Sequence, residues 1–300
     1  MSMNLNKLQN TFVIGDVHGC YNTLIKLIKQ FPHDADIIFV GDLCDKGEFS
    51  KDVLEFVIEN NYLCVKGNHE ALFEKHIKDV INNNKYTLWS SDEKYGGLQC
   101  IRSYNGNFSL INKHLKWIKK LPIYLQIDKY FITHGFALEY YQYRDNQDYF
   151  NDILLSRLYP DMKEVESKEN IINVFGHCFF SEVQIGKKYI CLDTGCVSGG
   201  KLSALQLGTN KIFEEPMDKK DSKYQIKELK LKDINLDQYG LKEIQNITLK
   251  DDCKYSSFDI ISSEVIEYIL NNYPNVAKYE ILRMKEKGII FPKQINKLLN

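Results

Sequence analysis

Six residues of this chain offer oxygen or imidazole donors: Asp16, His18, Asp42, Asn68, His134 and His177. Each stands at or just beyond the end of a short apolar run. None is a thiolate, and such a donor set suits divalent first-row metals: manganese, iron or zinc. Six donors are too many for one catalytic ion that must keep positions open for water and substrate. They suit two ions sharing one carboxylate, and Asp42 is the natural bridge. Two ions about 3.5–4 Å apart lower the pKa of a shared water and clamp an in-line displacement at phosphorus. Taken singly, each residue has a plainer reading. Asp16/His18 alone is a turn carboxylate beside a surface histidine, Asn68 alone a helix cap, and His134 or His177 alone a satisfied core histidine. Their recurrence at successive strand ends favours the metal site.

The elements that would position them follow a repeated plan. Thr11–Ile14 is an apolar, β-branched run that stops at Gly15-Asp16-Val17-His18-Gly19. An amphipathic helix follows through Leu24, Leu27 and Phe31, closed by Pro32. The next strand, 37–40, ends in Gly41-Asp42-Leu43-Cys44-Asp45-Lys46-Gly47. A turn needs one Asp and one Gly; Asp, Asp and Lys together exceed that need. Ser50 is the expected cap of the next helix. A third strand, 62–65, ends at Gly67-Asn68-His69-Glu70 and runs into a further helix. Strand–loop–helix three times over predicts an α/β fold with parallel strands, which bind ligands at their carboxyl ends. Residues 78–128, with Trp89, Trp117 and Gly96-Gly97, read as helices and loops near the site mouth. Strands at 130–133, 171–175 and 189–192 lead to His134, His177 and Asp193, and a short strand spans 203–207.

Composition narrows the function further. The 300 residues carry a net charge of −1, which gives no electrostatic case for nucleic acid or an anionic membrane as main partner. No stretch approaches a transmembrane span and no secretory leader is visible, so a cytoplasmic location is expected. The 8 cysteines are scattered without a C-x-x-C pair and read as free, mostly buried thiols. From about residue 214 the chain is charged and weakly periodic. Helices are expected around 263–270 and from 276 to 287, the latter stopped at Gly288. This divides the chain into a catalytic domain, 1–214, and a small, mostly helical C-terminal extension, 215–300, of unassigned role.

The three Gly-centred motifs, with Thr133-His134-Gly135, Phe175-Gly176-His177, Leu192-Asp193-Thr194-Gly195-Cys196 and Gly199-Gly200-Lys201, resemble the PPP-type serine/threonine phosphatases of the calcineurin-like metallophosphoesterase superfamily. The likeness is greatest to the bacterial and bacteriophage branch and covers about residues 11–214. It implies an α/β β-sandwich of two mixed sheets flanked by helices. It implies two divalent ions, manganese first, with iron or zinc as alternatives. Asp16, His18 and Asp42 would hold one ion, and Asp42, Asn68, His134 and His177 the other. His69 matches the general acid and Asp45 the carboxylate that orients it. Lys46 stands where the family usually has Arg, and Arg157 best matches a second phosphate-binding Arg; by the same resemblance Asn68 would also bind the phosphate. The implied activity is phosphomonoester hydrolysis on a phosphorylated protein or peptide, at serine or threonine and by extension tyrosine, by in-line attack of a metal-bridging hydroxide. A dinucleoside polyphosphate or nucleotide-cap hydrolase is the alternative, and a non-catalytic phosphate-binding module the remote one. Asp45 and Glu70 favour the phosphoprotein branch, because bacterial members of the other commonly lack the first and carry Asp for the second. The oligomeric state has no sequence signal.

Overall fold

The computed structural model describes residues 5–83, 87–91, 95–158 and 170–221. A short helix α1 (Leu5–Gln9) leads into β1 (Thr11–Ile14), α2 (Tyr21–Ile28), β2 (Asp36–Phe39), α3 (Ser50–Glu59), β3 (Leu63–Cys64) and α4 (Asn68–Asn83). Helices α5 (Leu88–Ser91), α6 (Gly97–Ser103) and α7 (Phe108–Ile118) come next, then β4 (Tyr124–Ile127), β5 (Tyr130–Thr133), α8 (Phe150–Leu155) and β6 (Ile172–Phe175). Strands β7 (Gln184–Ile185), β8 (Tyr189–Cys191), β9 (Lys201–Gln206) and β10 (Lys211–Pro216) end in a 3-10 turn at Lys219–Asp221.

The strands form two five-stranded sheets, ordered β10-β9-β1-β2-β3 and β4-β5-β6-β8-β7. Both are mixed. β1, β2 and β3 run parallel, β9 is antiparallel to β1 and β10 antiparallel to β9, and β5, β6 and β8 run parallel between antiparallel β4 and β7. The unbroken apolar runs of the sequence are explained by burial of both faces of the central strands. On β1 and β2, Val13 and Ile38, with Val40 just beyond, face the second sheet and meet Tyr130, Ile132, Val174 and Ile190. Their neighbours Phe12, Ile14, Ile37 and Phe39 point the other way, against Leu24, Leu27, Val53, Leu54 and Phe73 of the helices. On the far side, Phe131 and Phe175 pack with Phe136 and Ile153. One period-two alternation therefore feeds three apolar layers, and the carboxyl ends of β1, β2, β3, β5 and β6 emerge together.

Three expectations need correction. Ser50 does not cap α3; Phe49 occupies that position, and the Ser50 hydroxyl accepts from the Asp45 amide (3.0 Å), so it braces the charged turn instead. The segment 78–128 is not all helix and loop, since β4 pairs antiparallel with β5. Its half-buried residues give too weak an alternation over four positions to mark a strand. The third strand shrinks to two residues. The helices expected near 263–270 and 276–287, and Gly288, lie outside the described residues.

The fold continues past the change in composition at residue 214. The buried Asp221 carboxylate accepts hydrogen bonds from the Asn22 and Thr23 amides (3.0 and 2.7 Å) and from the Asn22 and Thr23 side chains (2.8 and 2.7 Å). The first turn of α2, whose own Cys20 provides no side-chain cap, is thus capped from 199 residues away. Asp221→Ala strands these donors and is expected to cost about 2 kcal/mol. Urea unfolding would read this as a lower midpoint at unchanged slope.

Candidate active site

The turns after β1, β2, β3, β5 and β6 converge on the Asp42 carboxylate. His18 Nε2 lies 3.4 Å and His69 Nε2 3.9 Å from Asp42 Oδ2, and His134 Nε2 lies 3.4 Å from Oδ1. Ligand atoms of His18, Asp42 and His69 form one group within 4.8 Å, and those of Asp42, His134 and His177 a second. Asp42 belongs to both, as a bridge must. The Asp16 carboxylate is in neither group; both its oxygens accept from the His177 amide (3.3 and 3.1 Å). Asp42 and Asp16 are held by close backbone approach. A Cβ at Gly67 would collide with the Asp42 carboxylate and amide, and one at Gly176 with the Asp16 carboxylate.

The loops store strain at this point. Of the nine described non-glycine residues with positive φ, five are His18, Asp42, Asp45, Lys46 and His177. Each such conformation costs on the order of 1–3 kcal/mol and persists only where its surroundings enforce it. Glu70 provides much of that enforcement. Its Oε2 accepts from the Asp42 and Gly67 amides (2.8 and 2.9 Å) and its Oε1 from the Leu43 and Cys44 amides (2.8 and 3.3 Å).

The imidazoles are oriented by their outer nitrogens. His134 Nδ1 donates to the Val40 carbonyl and His18 Nδ1 to the Cys44 carbonyl, both at 2.9 Å. This fixes the tautomer and turns each Nε2 lone pair inward. His134 Nε2 then faces Asn68 Oδ1 at 2.8 Å as well as Asp42. Two acceptors turned toward each other require a shared cation or a proton, so the donor set fits a divalent ion. The electrostatics agree. Burial works against a charged His134, yet Asp42 raises its pKa to about 9. Burial, then the neighbouring Asp193, pushes Asp16 well above the usual carboxylate range. Burial, then the nearby His134, lowers His177 to about 3. Crowded buried carboxylates of this kind are stabilised by cations.

His69 and Asp45 form a buried pair, Nδ1 to Oδ2, at 2.8 Å. The same Asp45 oxygen accepts from Trp89 Nε1 at 2.6 Å. Lys46, partly buried, donates from Nζ to His18 Nε2 at 2.8 Å, and its amide donates to the Gly96 carbonyl. Arg157 is exposed at the rim and donates to the His177 carbonyl at 3.3 Å. All ten residues singled out from the sequence therefore gather at one place, nine in the centre and Arg157 at its edge. Trp89 was placed near the mouth but not at Asp45, because no local pattern links residues 44 positions apart. Trp117 lies elsewhere, in a surface cavity lined by Lys113, Lys116 and Lys120. The role of Asp193 beside Asp16 was also missed, although it follows a strand in the same manner as the other donors.

A family model described as calcineurin-like phosphoesterase matches residues 10–194. The chain belongs to the calcineurin-like phosphoesterase family. Among curated relatives of this phosphoesterase, serine/threonine-protein phosphatase 2 of Escherichia coli (strain K12) is 27% identical over 214 residues, covering 67% of this chain and 94% of its own. Bis(5'-nucleosyl)-tetraphosphatase PrpE (asymmetrical) of Anoxybacillus flavithermus is 26% identical over 228 residues, covering 65% and 89%. A crystal structure described as a candidate diadenosine tetraphosphatase aligns over 70% of this chain and 94% of its own, with a TM-score of 0.53 at 22% identity. This supports the two-sheet fold. The family assignment makes the phosphoesterase a metal-dependent one. The seven cysteines among the described residues are buried and in no disulfide, as expected. No helix of the described residues is long and apolar enough to cross a membrane.

Proposed function

We propose that this phosphoesterase hydrolyses phosphomonoesters on proteins, at phosphoserine or phosphothreonine, with phosphotyrosine as a further substrate. The observation that carries this reading is the buried Asp45–His69 pair at 2.8 Å. An alcohol leaving group departs poorly as an alkoxide and needs a proton; a nucleotide phosphate departs as a stable anion and needs none. An oriented imidazole is therefore most useful against a phosphorylated alcohol.

Asp16, His18 and Asp42 would hold one divalent ion, and Asp42, Asn68, His134 and His177 the second, with manganese the first choice. When bound, the ions supply an activated water and neutralise charge on the phosphoryl oxygens. The protein's own groups do the remainder. Asp45 accepts from His69 Nδ1, which orients the ring and leaves Nε2 free to hand a proton to the departing oxygen. The Lys46 ammonium, beside His18 Nε2, and the Arg157 guanidinium, beside the His177 carbonyl, would bind phosphoryl oxygens, Arg157 by its planar fork and Lys46 as a point charge. Asn68 would orient substrate beside its ion.

The near-equal similarity to a dinucleoside tetraphosphatase keeps that substrate as the second reading. A side-by-side assay of the manganese-loaded full chain on a phosphopeptide and on diadenosine tetraphosphate separates the two. The expected result is a kcat/KM for the phosphopeptide at least about tenfold higher, a difference of 1.4 kcal/mol in transition-state stabilisation. The reverse order would reject the phosphoprotein assignment while leaving the metal site intact.

A further inference from the structure

Beneath the proposed acid pair, a second set of metal-ligating atoms is assembled. Cys44 Sγ, Cys100 Sγ and a carboxylate oxygen of Asp45 lie within 4.8 Å of one another, and all three residues are fully buried. Cys44 and Asp45 come from the charged turn after β2, Cys100 from the middle of α6. Burial pushes both thiols up, so in the absence of a cation they stay protonated.

The independent sign of a ligand is on Asp45 itself. Its Oδ2 takes both donors, His69 and Trp89, while its buried Oδ1 has no hydrogen-bond partner. A buried carboxylate oxygen without a partner is costly, and an ionised carboxylate has lone pairs to spare on both oxygens. Two sulfurs and one carboxylate oxygen, all buried, form a donor set opposite in character to the oxygen and imidazole set of the strand ends. Thiolates select soft cations over manganese or magnesium. Tetrahedral zinc, with bonds of about 2.3 Å to sulfur and 2.0–2.2 Å to oxygen, holds its ligand atoms roughly 3.5–3.8 Å apart, within reach of a small contraction here.

We propose that Cys44, Cys100 and Asp45 form a distinct thiolate site for a soft divalent cation of the zinc or cadmium type. Binding breaks two S–H bonds, sends two protons to solvent and forms two metal–sulfur bonds, with Asp45 as third ligand and no change of oxidation state. Its consequence for turnover rests on the phosphatase reading: a cation on Asp45 competes with His69 for that carboxylate and slows departure of an unactivated alcohol. The site itself does not depend on that reading.

The test uses the reduced, metal-stripped full chain titrated with Cd²⁺ and followed to completion, because the pocket is buried. The expected result is a thiolate-to-cadmium charge-transfer absorption that saturates at one ion, with about two protons released. It should be lost in Cys100→Ser and in Cys44→Ser, and kept in Cys178→Ser, Cys253→Ser and His177→Ala. Cadmium NMR of the wild type reads the ligand type without any substitution and should report two sulfurs with oxygen. A wild type with no sulfur-bound cadmium, or a signal that survives undiminished in Cys100→Ser, would overturn the proposal. Activity plays no part in either outcome, so a failed phosphatase assignment would not be mistaken for a failed site.

Discussion

His69→Asn should bind metal as the wild type does and lose about 10²–10⁴-fold in kcat on a phosphoserine peptide. The same variant should lose no more than roughly tenfold on p-nitrophenyl phosphate, because the nitrophenolate leaves without help. The difference follows from the geometry. His69 Nδ1 is held by Asp45 Oδ2 at 2.8 Å, and Nε2 points past Asp42 Oδ2 at 3.9 Å into the space between the candidate metal ligands. Asn retains a donor toward Asp45 but cannot relay a proton. Steady-state kinetics on the two substrates, with metal content measured on the same samples, checks it. Equal losses on both would remove His69 from the role of acid and return it to the ligand group in which its nitrogen lies with His18 and Asp42.

Glu70→Gln should destabilise the fold by about 3 kcal/mol and loosen the metal site at a distance. Glu70 is fully buried and belongs to no group of candidate ligands. Its two oxygens instead receive four backbone N–H groups, from Asp42, Leu43, Cys44 and Gly67. Gln offers one oxygen, so its NH₂ would face two buried amides that have no other acceptor. Hydrogen bonds to a charged group contribute about 1.5–3 kcal/mol each, and stranded donors add to the loss. The left-handed Asp42, at φ 51°, is the residue that this scaffold holds in place. A fall in Tm on the order of 6–12 °C is expected, together with weaker manganese binding. Glu70→Asp is the informative companion, since a shorter side chain keeps the charge but cannot span both pairs of amides. Unchanged stability in both variants would mean the turn holds itself.

The donors were legible in the sequence because each interrupts a pattern at its own strand end. Ile37–Val40 is apolar without a break, so two carboxylates and a lysine within six residues stand out against it. The central strands were legible for the same reason: burial on both faces leaves runs such as Phe12 to Ile14 with no polar position. What escaped depends on contacts between distant segments. Trp89 reaches Asp45 from a four-residue helix with no periodicity of its own. Asp221 caps a helix whose first turn was made almost 200 residues earlier, within a stretch whose charge suggested a separate segment. Ser50 has the composition of a cap but serves the turn before it, because the Asp45 amide is the nearer unsatisfied donor. The meeting of Cys44 with Cys100 is of the same kind, and the scattered spacing of the cysteines gave no hint of it.

The most direct measurement is metal-dependent p-nitrophenyl phosphate hydrolysis by the chain stripped of metal, with Mn²⁺ binding followed in parallel, for the wild type and for Asp42→Asn. Asp42 is the one residue shared by both groups of candidate ligands. The wild type should take up two ions at the strand-end site and recover activity as they bind. Asp42→Asn should fold, bind at most one ion, and stay at the level of the stripped protein. A wild type that binds no Mn²⁺, or an Asp42→Asn chain that recovers full activity, would contradict a dinuclear centre built on this carboxylate.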